Sequence, residues 1–587
     1  AGHPESAALG AAFALLWVVS RLLSRSWSSP AAVVRSGAFA AVLALGLSAP
    51  LLLPQLDAIR ASNRRVRAEE SLAIVATLSH PHRPWWTPAL VTPFFPRAYG
   101  DGIGAPMQPA AVYSFPELSS ACVGGAAWLL VFLTLRPGSK RRPETLGLVV
   151  IAGLAILITV RSWPAIEVLA RVPELGVMIT VRFQAWIALA AAALAAFEFD
   201  RWRRDCGEKP RRALWITAAA AGYAAAGTAL LVRHGRADAS GFALLMLALA
   251  GVATAGAAAA LVPIPPRARE TIVFAALVCA AIGELFGTAI PLDRFGPARA
   301  VFPPTPLVDF LRSRPGGFRV AGIGTSLFPA SSVFAGVEDV RTHDPLERRD
   351  YLRYLDAAAG YSPAEYFKKL ENPDAPALDL LNVGWVVAPP GGAPPGPHWE
   401  RVYAGNDGTV FRNPSVLPRV WAPAAVRPVG PAPAGHPEDA FAAFGLEPAE
   451  IVRRTSEGRE TLVVSDGPAP LPERLRGGPT PVVRDVRESA NAIGFTAELA
   501  GPLPAVVVAS VVQDGGWGAR DEIGALATGR ANGPFLAIAV RPGRHRVRLE
   551  YAPPGLASGV AAAAAAALAG IGALLISRNR ARVSAAP

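Results

Sequence analysis

Residues 271–290 read TIVFAALVCAAIGELFGTAI and are followed at once by PLDRFGPARA at 291–300. A run of this length with one charge, Glu284, matches what a membrane-crossing helix needs, about 20 mostly apolar residues. The proline- and charge-bearing segment that follows belongs to a different kind of chain. Moving outward from this junction, further apolar stretches occupy roughly 7–23, 37–56, 117–135, 145–160, 182–199, 213–232 and 241–262 on one side, and 556–576 at the far end. The stretch near 145–160 is short, and several are rich in Ala and Gly, which lets helix backbones approach closely in lipid.

Composition agrees with the division. Of 587 residues, 52% are hydrophobic and only 17% are charged, against about a quarter charged in soluble domains. Disorder is excluded, because it requires low hydrophobicity and high charge. The segment 291–555 holds roughly 28 basic and 29 acidic residues, so nearly all of the net charge of +12 lies outside it. A nucleic-acid binder would gather that excess on a soluble face. Here Arg25 and Arg35, Arg136 with Lys140, Arg141 and Arg142, the run DRWRRDCGEKPRR at 200–212, Arg267 with Arg269, and Arg578, Arg580 and Arg582 fall in alternate loops. Basic loops face the cytoplasm, which places the loops 57–116 and 161–181 and the block 291–555 outside.

The expected fold is a polytopic α-helical membrane protein with a large extracytoplasmic α/β plus β-sandwich domain and a C-terminal transmembrane helix. The boundaries drawn are 1–290 for about eight membrane helices, 291–480 for an α/β domain, 481–555 for a β-sandwich, and 556–587 for the last helix with a basic cytoplasmic tail. FRVAGIG at 318–324 and 384–388 read as strands, and RRDYLRYLDAAAG at 348–360 as a helix. AIGFTAEL, AVVVASVV, FLAIAV and HRVRLEYAP then alternate between Gly, Pro and Asn turns. The assignment starts the chain outside without a recognisable signal peptide, and leads us to expect upstream helices before Ala1.

Cys122, Cys206 and Cys279 provide no disulfide framework or Cys-based zinc site in the polar block. No phosphate-binding loop, HExxH, nucleophile elbow or dinucleotide fingerprint occurs, so no metal ligand set is assigned and the cofactor is left unknown. The outer loop SHPHRPWWTPALVTPFFPRAYGDGIG at 79–104 carries His80, His82, Arg83, Arg97, Tyr99 and Asp101 among prolines and aromatics. Such a mixture suits a sugar ring and a lipid phosphate; it equally suits an interfacial aromatic belt with snorkelling arginines. Glu284 is either a functional intramembrane carboxylate or a structural one bonded to a neighbouring helix. Arg182 is a phosphate ligand or an interfacial anchor. The run GVEDVRTHDPLERRDYLRYL at 336–355, with Asp339, Arg341, His343, Asp344 and Tyr351, reads as a capped surface loop before a sugar or metal site. Trp517 reads as a sandwich core residue before a carbohydrate-stacking one.

Several segments fall in a telling order: GELFGTAIP at 283–291, FPPTPLVDFLRSRPGGFRVAG, LFPASSVFAGVEDVRTHDPLERRDYLRYL, LDLLNVGWVVAPP, VYAGNDGTVFRNPSVLPRVW and VVASVVQDGGWGARDE, preceded by FFPRAYGDG and VPELGVMITVRFQAW. In this order they resemble the bacterial YfhO-type membrane protein family over nearly the whole chain. The family's usual Gly-Tyr before Asp-Pro is Thr342–His343 here, and its Pro-Asn pair is Ala330–Ser331. The resemblance implies a GT-C-type glycosyltransferase relative in the bacterial cytoplasmic membrane. Its donor would be a polyprenyl-phosphate sugar, its acceptor an envelope polymer, and its other partner the lipid bilayer. It carries over no catalytic residue, since the GT-C acid lies in an earlier outer loop. A non-catalytic envelope-assembly or polysaccharide-binding protein is the rival class.

Overall fold

The computed structural model describes residues 4–23, 29–63, 91, 93–95, 123–135, 143–160, 162–171, 180–208, 213–234, 239–289, 303–314, 317–329, 331–344, 346–363, 368–429, 440–456, 460–465, 470–473 and 479–584. The chain divides into two compact units, Ala1–Arg35 with Ala68–Gly296, and Ser36–Arg67 with Pro297–Pro587.

Helices occupy the described part of every apolar stretch: α1 (Pro4–Leu23), α2 (Pro30–Ala61), α3 (Gly125–Leu135), α4 (Pro143–Thr159), α6 (Gln184–Glu208), α7 (Ala213–His234), α8 (Ala239–Leu261) and α9 (Pro266–Ala289), with a short α5 (Trp163–Ala170) between α4 and α6. In the first unit, α6 packs on α3, α4 and α9, while α7, α8 and α9 pack in sequence. Its core is mostly apolar, with Leu129, Leu148, Phe183, Trp186, Ile216 and Leu249 almost fully buried. Arg21 of α1 meets Glu144 of α4 at 2.5 Å, and Trp186 donates to the Leu9 carbonyl at 2.9 Å.

Two helices among the described residues are long and apolar enough to cross a membrane: α2 and the segment Leu556–Ser577. The second is the first part of the C-terminal helix α13 (Leu556–Ser584), and most of α2 belongs to the same unit. They run antiparallel. A Cβ on Gly46 would lie 2.6 Å from Ala566 Cβ, one on Gly559 2.6 Å from the Ala49 carbonyl oxygen, and one on Gly555 3.1 Å from Leu53 Cβ. Small residues permit this approach, beside the two prolines inside α2, Pro50 and Pro54. Val42, Leu45, Leu568 and Leu574 meanwhile stay exposed. The C-terminal end of α2 is tied to the folded domain, where Asn63 donates to the Glu347 carbonyl at 2.8 Å and Ser62 pairs with Arg348.

That domain is built from three sheets. α10 (Pro306–Arg312), started by Thr305 accepting from the Val308 amide, covers a four-stranded sheet of β1 (Arg319–Gly322), β2 (Val383–Ala388), β3 (Glu400–Gly405) and β4 (Gly408–Arg412) in the order β1-β2-β4-β3. α11 (Arg349–Ala359) ends at Gly360, whose φ of 68° is the left-handed cap that glycine accepts cheaply. β5 (Val420–Trp421) and β6 (Val426–Pro428) precede α12 (Pro448–Thr455), and β7 (Thr461–Ser465) follows it. Next come β8 (Val482–Ser489), β9 (Ala492–Leu499), β10 (Ala505–Val512), β11 (Trp517–Arg520), β12 (Thr528–Ala531), β13 (Phe535–Val540) and β14 (Gly543–Tyr551).

The six-stranded sheet, β5-β10-β13-β12-β7-β6, lies at the centre. One face, through Val507, Leu536 and Ile538, packs on Phe495, Val547 and Leu549 of the sheet β11-β14-β9-β8. The other, through Val506, Val508 and Phe535, packs on Tyr354 and Leu355 of α11 and Ile451 of α12. A strand covered on both faces reads as a continuous apolar run, which is why AVVVASVV and FLAIAV lack alternation while edge strand β8 is largely exposed. β5, β6 and β7 share this sheet with β10, β12 and β13, so the division drawn at residue 480 runs through one sheet. Parallel pairing of β6 with β7 across α12 brings those strands in. Trp517 is half-buried against Tyr551, with ring centroids 5.2 Å apart.

Candidate functional site

His80, His82, Arg97, Tyr99 and Asp101 lie outside the described residues. From the same segment, Phe94 packs on Trp128 at 4.3 Å and Phe95 on Tyr223 at 5.0 Å. Tyr223 also donates to the Phe94 carbonyl at 2.5 Å, and Trp128 to that of Pro93 at 2.7 Å. The Phe pair is therefore held by α3 and α7. Arg182 is half-buried in a single 3-10 turn, Thr180–Phe183, leading into α6.

Glu284 is buried in α9, and its Oε2 accepts the Gly125 amide at 2.6 Å. That amide is the first of α3, one of the four donors a helix leaves unpaired at its start, and the helix dipole favours a carboxylate there. Gly125 has no room for a side chain, since a Cβ would lie 2.9 Å from Leu245 and 3.0 Å from Tyr223. Glu284 Oε1 is buried without a hydrogen-bond partner. The geometry gives Glu284 a helix-capping task and leaves one oxygen over. Glu284→Leu strands the Gly125 amide and is expected to cost about 1–3 kcal/mol, read as a lower melting temperature of the detergent-purified chain. Glu284→Gln keeps an acceptor and is expected to stay near wild type; a loss equal to that of the Leu variant would contradict the capping role.

The second candidate lies in the domain, where the surface loop expected at 336–344 turns inward. Asp339 and Arg341 are both buried, because Asp339 forms a bridge with Val320 of β1 that draws the segment onto the sheet. Arg341 donates to Asp339 Oδ1 through Nε at 3.1 Å and to Oδ2 through Nη2 at 2.8 Å. Its backbone amide reaches Oδ1 at 2.8 Å, and Nη2 also bonds the Leu327 carbonyl. Asp339 is thus held by three hydrogen bonds from one residue, while Arg341 Nη1 is buried with no partner. Asp344 and His343 remain toward the surface: Asp344 caps the Leu346 amide at 2.7 Å, and His343 meets Phe328 edge-on at 5.4 Å. Tyr351 donates to the Val340 carbonyl at 2.6 Å.

Beside this pair opens a cavity of about 190 Å³, bounded by Arg319, Asp339, Arg341, Thr342, Tyr351, Ser510, Val511, Val512 and Phe535. Arg319 Nη1 donates to the Leu381 carbonyl at 3.1 Å and to Ser510 Oγ at 3.2 Å, and Ser510 donates to the Leu380 carbonyl at 2.9 Å. Burial, with the nearby Arg419 charge, lowers the Arg319 guanidinium to about 10, so it stays protonated at neutral pH. Burial lifts Asp339 above the ordinary aspartate value against the pull of Arg341, and raises Tyr351 to about 12.

Glu338 behaves oppositely. Burial pushes its carboxyl up, but the charge and hydrogen bond of Arg419, then Arg319, outweigh that and leave it lowered. A carboxyl lowered by folding stabilises above its unfolded value and loses that contribution as pH falls through its folded one. Glu338→Gln is therefore expected to flatten the loss of stability between about pH 5 and pH 3. Urea midpoints across that range measure the effect, which is small because the side chain is more than half exposed. An unchanged acid limb would show that this contact carries no linkage.

Arg319 and Ser510 had no place in the sequence reading, because 191 positions separate them. A signal was present in Ser510, the one hydroxyl inside AVVVASVV. Among the described residues, no three His, Cys, Asp or Glu side chains gather as a metal site.

No family model matches the chain, and no curated protein matches it. Among solved structures, the cryo-EM structure of the arabinofuranosyltransferase AftD from Mycobacteria aligns at 14% identity and a TM-score of 0.21. The alignment covers 87% of this chain and 57% of that one, so this chain spans just over half of AftD's length. At that score the likeness carries no argument about fold or activity.

Proposed function

We propose that this chain is a multi-pass protein of the bacterial cytoplasmic membrane, a GT-C-type glycosyltransferase relative that uses a polyprenyl-phosphate-linked sugar to modify a cell-envelope polymer. The observation that carries the membrane placement is the α2–α13 pair. Both helices meet the folded domain at one end, Ala61 and Leu556. At the other end lie Arg35 and the Arg578, Arg580 and Arg582 turn. Basic ends favour the cytoplasm, so this pairing supports a domain on the outer side, and 22 residues at 1.5 Å each match the roughly 30 Å hydrocarbon layer. The sugar chemistry rests on the family resemblance. In this reading His80, His82, Arg97, Tyr99, Asp101 and Arg182 take the donor's phosphate and sugar, and the outer domain takes the polymer.

A second reading, a non-catalytic envelope-binding protein, draws support from Glu284 and Asp339, two of the buried carboxylates. Glu284 caps a helix and Asp339 is ion-paired with Arg341, so each carboxylate has a structural task. One assay separates the two: membranes bearing the chain are given labelled polyprenyl-phosphate sugars, and transfer to polymer is followed with and without Arg97→Ala. Transfer that depends on Arg97 supports the enzyme; no transfer from a range of donors supports the binding protein. Orientation is tested in a cysteine-free background with an impermeant thiol reagent on intact spheroplasts. Glu522→Cys is expected to label and Arg580→Cys is not, and the reverse pattern sinks the placement.

A further inference from the structure

The sheet β11-β14-β9-β8 buries one face against the six-stranded sheet and turns the other outward. On β14 the outward positions are Arg544, Arg546 and Arg548, alternating with buried Val547 and Leu549. Register carries the pattern across the strands. Arg548 stands opposite Arg520 of β11 on one side and Gly494 of β9 on the other, and Arg487 of β8 is the far partner of Gly494. Arg546 and Arg484 flank Thr496 in the same way. Two banks of arginine, about 10 Å apart at two strand spacings, thus border a floor of Gly494 and Thr496. Beyond the β14 bank lies an open groove of about 560 Å³, lined by Arg520, Arg544, Arg546 and Arg548.

The charge on this face is unbalanced. Glu550 is shared by Arg520 and Arg548, and Glu498 by Arg484 and Arg544. The exposed side chains of Arg487 and Arg546 pair with no carboxylate among the described residues. At the rim of the groove, Asp521 is taken by Arg541, and Glu522 by His545 and the Arg546 amide. With Glu522 and Asp485 of the β8 bulge counted, six arginines still stand against four carboxylates. Like charges directly opposite each other, as at Arg520 and Arg548, destabilise a sheet. Exposed ion pairs contribute little, so these guanidinium groups can turn to another anion, and their paired N–H groups match carboxylate and phosphate oxygens.

We propose that this sheet face binds a linear polyanionic glycan, whose carboxylates or phosphates lie along the two arginine banks. The glycan rests on the function proposed above, as the polymer which that reading gives to the domain; the polyanion rests on the arginines alone. A lipid surface fits less well, because interfacial binding adds apolar side chains to the cations, and the floor between these banks is Gly494 and Thr496.

The test measures binding of the full chain, held in phosphatidylcholine nanodiscs, to polygalacturonate, phosphorylated dextran, neutral dextran and phosphatidylglycerol vesicles. Expected is binding of polygalacturonate or phosphorylated dextran at least about tenfold tighter than that of neutral dextran or, per anionic group, of the vesicles. The tighter of the two polymers identifies the oxyanion. Arg487→Glu combined with Arg546→Glu should weaken that binding at least about tenfold. Arg401→Glu combined with Arg427→Glu makes the same change of net charge on the other two sheets and should leave it within about twofold. Should the reversed pair fail to fold, Arg487→Gln with Arg546→Gln replaces it. Equal binding of neutral dextran overturns the polyanion, and equal binding of the vesicles overturns the glycan. No binding of either polyanion, or a loss in the face variant no larger than in the control, overturns the site. Polyanion binding without any sugar transfer defeats the transferase reading and leaves this one standing, whereas Arg97-dependent transfer without polyanion binding does the reverse.

Discussion

Lys368→Met is expected to destabilise the three-sheet domain by about 3–5 kcal/mol, the largest single-site effect we foresee for a side chain. Lys368 Nζ lies 2.7 Å from Glu347 Oε2 and 2.9 Å from Oε1, and the two side chains are 1% and 4% exposed. Removing the cation leaves a carboxylate in a site that water does not reach, and that uncompensated burial is the main cost. The contact also joins distant parts of the chain, because the Glu347 carbonyl receives the Asn63 amide at the end of α2. The double variant Lys368→Met with Glu347→Leu is expected to recover most of the loss, since apolar replacement of a whole buried pair is often neutral. Chemical unfolding of the full chain in detergent, followed by tryptophan fluorescence, measures both. A single variant within about 1 kcal/mol of wild type would show that the pair is solvated.

Gly559→Leu is expected to separate α13 from α2 and to cost about 3 kcal/mol or more, the upper end for overpacking. Even a Cβ at this position would lie 2.6 Å from the Ala49 carbonyl oxygen and 2.7 Å from Pro50 Cα. Those are backbone atoms, which cannot swing aside as a side chain does. Gly572 in the same helix has nothing within 4 Å of its would-be Cβ, so Gly572→Leu is the matched control. Protease resistance of the three-sheet domain in the detergent-purified chain is expected to fall in the first variant and hold in the second. Equal behaviour of the two would mean that the helices do not touch as described.

Secondary structure was largely legible. The strands 492–499, 505–512 and 535–540 stand where AIGFTAEL, AVVVASVV and FLAIAV lie. Turn residues bound them, and turns act locally. Sheet membership was not legible: β5 pairs with β10 and β7 with β12 across 64 to 89 positions, and no local pattern encodes that pairing. The same limit explains why 336–344 looked like surface. Alternating charges look solvated until a partner strand, here β1, draws Asp339 and Arg341 inward. Glu284 could be singled out for its apolar surroundings, yet its helix-capping task depends on Gly125, 159 positions away.

The antiparallel embrace of α2 and α13 has a consequence for biogenesis. Ala61 and Leu556 are separated by about 495 residues, so at roughly 5–20 residues per second the ribosome delivers the second helix some 25–100 s after the first. Until then the side of α2 that carries Gly46 and Ala49 has no mate, and the docking ledge at Ser62 and Asn63 waits for Glu347 and Arg348. Nascent chains paused before residue 556 should therefore need a membrane chaperone or a translocon-side shelter that the finished protein no longer requires.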